Sequence, residues 1–192
     1  MKKLKLLYHV HTNASYDSLN RVSRILGFCK KNNIELLAIC DHDSIKNNKK
    51  ANSIANKMGI KTIPSIEYSS NAGDIIGLFV KNKISSNNCV EILRSIKSQG
   101  GITVLPHPYK GHSLEKIPMD LVDLIEIFNP RCNKKDNELA VKLSKKYQKN
   151  TIVGADAHLH NELKLAINYF DYDGDHIELN DNEIKKIILN NR

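Results

Sequence analysis

No apolar run in this 192-residue sequence approaches the roughly 18 residues that a membrane-spanning helix requires. The apolar stretch that begins at Leu4 meets His9 and His11 after only a few residues, and no small-residue cleavage site follows it. A secretory signal has a longer apolar core and such a site, so a first β-strand is the better interpretation. We therefore expect no membrane partner.

Cysteine is sparse and forms no paired motif. The four cysteines, Cys29, Cys40, Cys89 and Cys132, are widely separated and make no C-x-x-C pair. This spacing argues against a disulfide framework and against a structural zinc knuckle. A reducing compartment fits these residues best, so we expect a cytoplasmic protein.

The sequence also lacks a linker rich in Pro, Gly or Ser, and it contains no internal repeat. A chain of this length suits one domain with a substantial core, so we expect residues 1–192 to form a single domain. The net charge of +8 is spread over lysine-rich segments of predicted helices. A solvated surface is therefore favoured, while a nucleic-acid partner stays open. The oligomeric state is not predicted.

Short apolar runs alternate with helix-like segments, which is the pattern of βα units around a parallel sheet. Seven runs have the length and composition of buried strands: residues 4–8, 36–40, 62–66, 74–80, 102–106, 121–128 and 151–155. An open doubly wound sheet would carry a Gly-rich loop after the first strand, and His-Val-His-Thr-Asn stands there instead. The predicted fold class is α/β, a seven-strand barrel related to the TIM type.

Helical periodicity and end signals complete this pattern. Predicted helices cover residues 19–31, 45–58, 136–147 and 182–189. A further helix begins at Asn88, which forms a capping box with Glu91, and it ends before Gly100. Gly59 is expected to end the second helix as a C-terminal cap.

Side chains of the types that bind metals follow the apolar runs: His9, His11, Asp41, His42, Glu67, His107, Asp156 and His158. Such groups are costly inside a core, and in a parallel barrel the carboxyl ends of the strands meet at one mouth. The sequence therefore predicts that these side chains lie together.

Two pairs of these residues share a spacing. In His9-Val10-His11, the two-residue period of a strand places both imidazoles on the same side. Asp156-Ala157-His158 repeats that spacing after the last predicted strand. One pair alone is weak evidence, but two pairs with Glu67 and His107 between them predict a metal centre.

The residue types indicate the chemistry of that centre. Imidazole and carboxylate without thiolate suit zinc, manganese or iron, and a carboxylate such as Glu67 can bridge two ions about 3.5–4 Å apart. Neighbouring cations lower the pKa of a shared water enough to supply hydroxide near neutral pH, and they accept phosphate oxygens. A centre of two or three ions that hydrolyses phosphoesters is therefore expected.

The sequence resembles the PHP family, named for polymerase and histidinol phosphatase, over nearly its whole length. Five motifs carry the resemblance: HVHTNASYDS from His9, CDHD from Cys40, the segment around Glu67, PHP at 106–108, and GADAH from Gly154. The resemblance implies a distorted seven-strand βα barrel and metal-dependent phosphoesterase activity.

The resemblance also implies how the ligands divide. One ion would be held by His9, His11, Glu67 and Asp156, a second would contact Glu67 and His107, and a third would be held by Asp17, His42 and His158. Family members with a full second site commonly have another His after the fourth strand, and residues 76–80 are wholly apolar here. Glu126, Asn129 or phosphate could complete the second site.

The candidate catalytic residues are Asp156, His11 and Asp43. Asp41 and Asp43 flank His42, and one of them could orient a ligand imidazole from outside the metal; alternatively, Asp43 could cap the next helix together with Ser44. Candidate substrate-binding residues are Arg131, whose planar fork suits phosphate, with Asn129 and Lys110 beside it.

Three functions remain after these arguments. The leading hypothesis is a hydrolase of phosphate mono- or diesters, acting on a phosphorylated small molecule or nucleotide. A nuclease acting on 5′ ends of RNA or DNA is the second, although no nucleic-acid module is present in the sequence. The third is a non-catalytic metal-binding domain.

Overall fold

The chain forms eight strands and five α-helices in residues 3–172 and 174–190, the part that the computed structural model describes. The strands are β1 (Lys3–Val10), β2 (Leu36–Ile39), β3 (Lys61–Ser70), β4 (Gly73–Leu78), β5 (Ile102–Leu105), β6 (Leu124–Phe128), β7 (Asn150–Val153) and β8 (Asn168–Asp171). The helices are α1 (Val22–Lys31), α2 (Lys46–Asn56), α3 (Cys89–Ser98), α4 (Lys134–Tyr147) and α5 (Asp181–Leu189). No helix in these ranges is long and apolar enough to span a membrane.

The strands form one sheet in the order β7-β6-β5-β4-β3-β2-β1-β8. Neighbours pair in parallel from β1 to β3 and from β5 to β7. Strand β4 is antiparallel to β3 and β5, and β8 is antiparallel to β1. The predicted α/β barrel is confirmed, with two differences: β4 runs antiparallel instead of parallel, and an unpredicted eighth strand, β8, is added.

The direction of β4 follows from the shortness of the connection before it. Only Asn71 and Ala72 separate Ser70 of β3 from Gly73 of β4, and a parallel crossover needs about a dozen residues or more. Strand β3 also runs four residues past its predicted end at residue 66, so Glu67 lies within the strand. As a result, the beginning of β4 lies at the barrel mouth, where the sequence predicted its end.

Strand β8 escaped prediction because it is short and half polar, with Phe170 as its single buried apolar residue. Its Asn168 side chain accepts from the Val153 amide at 2.9 Å and donates to the Val153 carbonyl at 2.8 Å. The segment after β7 meets β1 directly, since the Ala155 amide donates to the Tyr8 carbonyl at 3.1 Å. These bonds bring the two ends of the sheet together.

Residues of β1 alternate between two layers of core. Leu6 and Tyr8 belong to the cluster inside the barrel, which also includes Ile184 of α5. Leu7 packs in a separate cluster with Ile25 of α1, between the sheet and the helices. Each fully buried side chain of this size contributes about 1.5–3 kcal/mol, so the scaffold around the mouth is strongly held.

Helix ends confirm two predictions and correct three. The Asn88 side chain caps α3 by accepting from the Glu91 amide at 3.1 Å, and Gly59 follows α2 with φ of +69°. The second bond of the predicted capping box does not form, because the Glu91 carboxylate accepts from the Ser86 hydroxyl at 2.7 Å. Helix α1 begins at Val22, since residues 12–20 form a loop. Asp43 does not cap α2, which begins at Lys46 and has no side-chain cap.

Candidate metal centre

Eight imidazole and carboxylate side chains meet at the barrel mouth: His9, His11, Asp17, His42, Glu67, His107, Asp156 and His158. Strands β1 and β3 carry two of them, His9 and Glu67, and the loops after β1, β2, β5 and β7 carry the rest. The side chains of Asp17 and His42 lie at the outer edge, 36% and 15% exposed, and the other six residues are buried. The structure thus brings together every residue that the sequence predicts as a ligand.

Glu67 lies at the centre of this cluster. Its Oε1 atom lies 3.3 Å from the Nε2 atoms of both His9 and His107. Its Oε2 atom lies 3.3 Å from His11 Nε2 and 3.2 Å from His42 Nδ1. A carboxylate that faces two imidazoles with each oxygen is placed to bridge neighbouring cations.

Asp156 faces the same space from the segment after β7. Its Oδ1 atom lies 3.7 Å from His9 Nε2, 3.6 Å from His11 Nε2 and 3.4 Å from His158 Nδ1. The donor atoms of His9, His11 and Glu67 also lie within 4.8 Å of one another. These four residues therefore surround one candidate ion position.

A second group lies nearer the solvent. Asp17 Oδ2 is 3.1 Å from His158 Nε2 and 3.5 Å from His42 Nε2. Donor atoms of His11, His42 and His158 lie within 4.8 Å of one another. The imidazoles of this group could hold a cation, and Asp17 could bind the same cation from the solvent side.

The spacing and hydrogen bonding of these atoms fit a bound metal. At bond lengths of about 2.0–2.1 Å, two ligands of a tetrahedral zinc ion lie about 3.3 Å apart, and the separations here run from 3.1 to 3.7 Å. Within the described ranges, four central atoms are buried without a hydrogen-bond partner: His9 Nε2, His11 Nε2, His42 Nδ1 and Glu67 Oε2. Each such atom costs about 1–3 kcal/mol, a cost that a shared cation removes.

Fixed acceptors set the tautomers of two imidazoles. Glu126 Oε2 lies 2.8 Å from His9 Nδ1, and the Asp156 carbonyl lies 2.9 Å from His158 Nδ1. A carboxylate and a carbonyl can only accept, so each imidazole donates from Nδ1. Their Nε2 atoms then face the cluster, where a bound metal ion would take the place of any proton that they carry.

A longer chain of hydrogen bonds acts on His11. The Ser15 hydroxyl donates to Asp41 at 2.9 Å, so its oxygen accepts from His11 Nδ1 at 3.2 Å. Asp41 also accepts from the Thr12 amide and hydroxyl, each at 2.6 Å. Asp41 thus supports a ligand imidazole, that of His11, while Asp43 accepts from the Ser69 amide at 3.4 Å.

The charges of the cluster keep its carboxylates ionised. Burial alone raises the pKa of Glu67, but His9, His107 and His11 bring that pKa well below its usual range. Burial also raises the pKa of Asp156, and the imidazoles, His9 foremost, lower it to about 2. Burial lowers the pKa of His9, yet nearby carboxylates, led by Glu126, raise it well above normal. Both central carboxylates therefore present full negative charge to a cation.

Backbone strain concentrates at the same place. His9, His107 and Asp156 have positive φ values of 58°, 26° and 44°, and Asp43 has 47°. Side chains other than glycine rarely adopt this region, and the cost is about 1–3 kcal/mol for each residue. The fold holds these residues in position against that cost, which is typical of functional sites.

Glu126, at the inner side of the cluster, is buried and accepts from three donors. They are His9 Nδ1 at 2.8 Å, the His107 amide at 3.1 Å and Asn129 Nδ2 at 2.8 Å. Gly154 leaves room for this carboxylate, because a Cβ atom there would overlap it. From the sequence, Glu126 was only one of three groups that could complete the second ion site. A single glutamate in an apolar strand does not reveal its hydrogen-bond partners.

Gly154→Ala is expected to destabilise the fold by about 1–3 kcal/mol, since the added methyl group displaces a buried carboxylate with three hydrogen bonds. The matched control is Gly27→Ala in α1, where a Cβ atom meets nothing within 4 Å. That change should stabilise the protein by about 0.5–1 kcal/mol. Denaturant unfolding of both variants measures the difference, and equal stabilities would contradict the packing described for Gly154.

Asp74 is a candidate ligand that sequence analysis missed. It lies at the beginning of β4, and its carboxylate, Glu67 and His107 offer donor atoms within 4.8 Å of one another. Burial and the charge of Glu67 raise the pKa of Asp74. The family pattern places a ligand after the fourth strand. In this structure the beginning of β4 lies at the mouth instead, because β4 runs antiparallel to its neighbours.

The candidate substrate-binding residues differ in whether their polar groups already have partners within the protein. Asn129 is fully buried and donates to Glu126 and Asp156, so it supports other site residues. Arg131 donates from Nε to the Asp156 carbonyl at 2.8 Å and from Nη2 to Glu162 at 3.1 Å. Lys110 has a half-exposed side chain, and its Nζ atom lies 3.9 Å from Asp156 Oδ2.

Comparison with known proteins agrees with this geometry. The PHP domain family model matches residues 8–188. The uncharacterized protein MJ0417 of Methanocaldococcus jannaschii is 32% identical, with 97% of this chain and 78% of that protein covered.

Two solved structures share the fold. One is a two-domain protein from Bacteroides vulgatus containing a predicted PHP-like metal-dependent phosphoesterase, with a TM-score of 0.80 at 16% identity. The match covers 100% of this chain, which spans 64% of that protein. The other is an amidohydrolase from Chromobacterium violaceum, solved with sulfate and no metal, with a TM-score of 0.68 at 15% identity and coverage of 88% and 92%.

The barrel, the His, Asp and Glu cluster at its mouth, and the family match over most of the sequence lead to one conclusion. The protein belongs to the PHP domain family.

Proposed function

We propose that this protein hydrolyses phosphate mono- or diesters of a small metabolite or nucleotide, with two or three divalent ions held at the barrel mouth. The observation that carries the proposal is the position of Glu67, whose two oxygens each lie 3.2–3.3 Å from two imidazoles. The phosphoesterase named in the Bacteroides vulgatus structure supports the same reaction class.

The proposed ligands divide into three sets. His9, His11, Glu67 and Asp156 would hold the first ion, Glu67, His107 and Asp74 the second, and Asp17, His42 and His158 the third. Imidazoles and carboxylates without thiolate suit zinc, manganese or iron. When bound, such ions would lower the pKa of a coordinated water and neutralise charge on the phosphate.

The chain's own groups supply orientation and charge. Glu126 holds His9, and Ser15 with Asp41 holds His11, so both Nε2 atoms stay aimed into the cluster. Among the candidate phosphate-binding residues, Lys110 has the fewest close polar partners, because its partly exposed ammonium group lies 3.9 Å from Asp156 Oδ2. Burial of six of the eight ligand residues keeps bulk water from their donor atoms.

Metal analysis and a substrate panel test the proposal. Protein purified without chelator should contain divalent metal, lose phosphoesterase activity on chelation, and regain it with Mn²⁺ or Zn²⁺. The panel contains a phosphomonoester, a phosphodiester and a short oligonucleotide. Cleavage of the oligonucleotide alone, with steep salt dependence, would point to the nuclease instead.

Tight metal binding without hydrolysis of any panel member would overturn the catalytic proposal and leave a metal-binding domain. Full activity after complete removal of metal would overturn the role given to the cluster.

A further inference from the structure

Arg131 and Glu162 form an ion pair beside two ligands of the cluster, Asp156 and His158. Arg131 Nη2 donates to Glu162 Oε2 at 3.1 Å and to Glu162 Oε1 at 3.4 Å. Arg131 lies in the loop after β6 and Glu162 in the connection after β7, so the pair joins two neighbouring loops of the barrel mouth. We refer to these two residues as the Arg131–Glu162 clamp.

The segment that carries both ligands needs such a partner. Its middle residue, Ala157, pairs with β1 through both of its backbone groups. The Ala157 amide donates to the His9 carbonyl at 3.2 Å, and the Ala157 carbonyl accepts from the His11 amide at 3.0 Å. The two backbone groups that flank Ala157, the carbonyl of Asp156 and the amide of His158, therefore require other partners.

The clamp supplies partners for both groups. Arg131 Nε donates to the Asp156 carbonyl at 2.8 Å. Glu162 Oε2 accepts from the His158 amide at 2.7 Å and from the Leu159 amide at 2.9 Å. The Asp156 carbonyl also lies 2.9 Å from His158 Nδ1, so the oxygen that Arg131 holds is the one that orients the His158 imidazole.

Two features show that this backbone needs firm support. Asp156 has a positive φ of 44°, a strained conformation that persists only where surrounding contacts enforce it. Burial raises the pKa of Glu162, but the amides of His158 and Leu159, together with Arg131, bring that pKa below its usual range. Both members of the clamp are therefore charged, and hydrogen bonds from or to charged groups are the stronger kind.

The same contacts count against a role for Arg131 in binding phosphate. Its Nε and Nη2 groups, which would form a bidentate pair of donors to a phosphate, are both engaged within the protein. The Arg131 amide donates to Asn129 Oδ1 at 2.8 Å, and Asn129 Nδ2 donates to Asp156 Oδ2 at 3.1 Å. Arg131 thus contacts the backbone of Asp156 directly and its carboxylate through Asn129.

We infer that Arg131 and Glu162 are positioning residues that set the affinity of the cluster for metal, through the backbone of Asp156 and His158. This inference rests on the proposed function, and it assigns Arg131 to the metal ligands instead of to the phosphate. Asp156 belongs to the proposed first ion and His158 to the third. Loss of the clamp should therefore weaken the binding of both ions.

The test measures Mn²⁺ affinity calorimetrically, with the electron paramagnetic resonance spectrum of bound Mn²⁺ as a second readout. Arg131→Lys keeps the charge but cannot bond to the Asp156 carbonyl and Glu162 together, and Glu162→Gln keeps the shape without the charge. Each variant should bind Mn²⁺ about 10–100-fold more weakly and show an altered spectrum. The double variant should be about as weak as the weaker single variant, because the two side chains act as one unit.

Inorganic phosphate separates the two roles open to Arg131. Titrated into the protein at saturating Mn²⁺, phosphate should bind Arg131→Lys as tightly as it binds the unmodified protein. Weakened phosphate binding with normal Mn²⁺ affinity would make Arg131 a phosphate ligand and overturn the inference.

Asp123→Asn is the matched control. The Asp123 side chain is 24% exposed against 22% for Glu162, pairs with Lys97 at 2.7 Å and accepts from the Thr103 amide at 3.0 Å. It directly precedes β6, whereas Arg131 follows the other end of that strand. This variant should lose stability and keep its Mn²⁺ affinity.

An equal loss of Mn²⁺ affinity in Asp123→Asn would trace the effect to general destabilisation and overturn the inference. Normal Mn²⁺ affinity in both clamp variants would overturn it as well. Because binding is measured without turnover, an absence of hydrolysis would refute the proposed function and leave the test of the clamp intact.

Discussion

Glu67→Gln is expected to lower turnover by about 10³–10⁴-fold and to reduce the number of ions that the protein retains. The four imidazole nitrogens around the Glu67 oxygens lie 3.2–3.3 Å away, so a change at this carboxylate affects all four rings. An amide removes the negative charge, and its NH₂ group turns a donor toward imidazole atoms that must face a cation. Each tenfold loss corresponds to about 1.4 kcal/mol of lost transition-state stabilisation.

Glu138→Gln is the matched control for this change. Glu138 lies on α4 with its side chain 59% exposed, where it pairs with Lys134. Its replacement should alter neither metal content nor turnover, because exposed pairs of this kind contribute little. Circular dichroism establishes that both variants fold. A Glu67→Gln protein with normal metal content and normal turnover would show that Glu67 does not bridge the proposed ions.

Local spacing explains which parts of the site were accessible from the sequence. His9 with His11, and Asp156 with His158, are two residues apart, a spacing that in a regular strand predicts side chains on one face without knowledge of the whole fold. The structure brings each pair to the cluster by a different backbone path, since His9 and Asp156 have positive φ values of 58° and 44°. Their convergence required only that parallel strands point their carboxyl ends to one mouth. Asp156 Oδ1 lies 3.4–3.7 Å from the nearest ring nitrogens of His9, His11 and His158.

Residues whose role depends on strand direction or on distant partners were less accessible. Asp74 reaches the mouth because a two-residue turn reverses the chain, and that turn was hidden by an underestimated length of β3. Glu126 acts on His9 across 117 residues of sequence, a separation that no local pattern encodes. Strand β8 pairs through its backbone and Asn168, so its sequence carries little apolar signal.

The sequence predicted that non-ligand residues would orient the ligands and bind phosphate, but it did not predict which partners each of them contacts. Asp41 or Asp43 was expected to orient a ligand imidazole, and the structure places Asp41 behind His11 through Ser15. Arg131, expected to be open to phosphate, uses Nε and Nη2 to hold the Asp156 carbonyl and Glu162. Side-chain direction decides both cases, and it depends on the packed loop rather than on the order of residues.

Asp156→Asn is expected to lower turnover by about 10²–10³-fold while the fold is retained. Asp156 faces His9, His11 and His158 through one oxygen, and its pKa of about 2 shows how strongly these imidazoles favour its charge. The asparagine side chain has the same shape as aspartate, so its carboxamide oxygen can still accept the hydrogen bond that Asn129 donates. What the variant loses is the negative charge offered to the first ion.

Asp17→Asn provides the graded comparison, because Asp17 is a more exposed carboxylate that faces only His42 and His158. Water can replace an exposed ligand more readily than a buried one, so its loss should cost turnover about 10-fold or less. Steady-state kinetics at saturating Mn²⁺, with metal content measured on the same samples, gives the order of the two effects. If Asp17→Asn proved the more damaging variant, the reacting phosphate would have to lie at the outer ion, and the roles proposed for Asp156 and Asp17 would be exchanged.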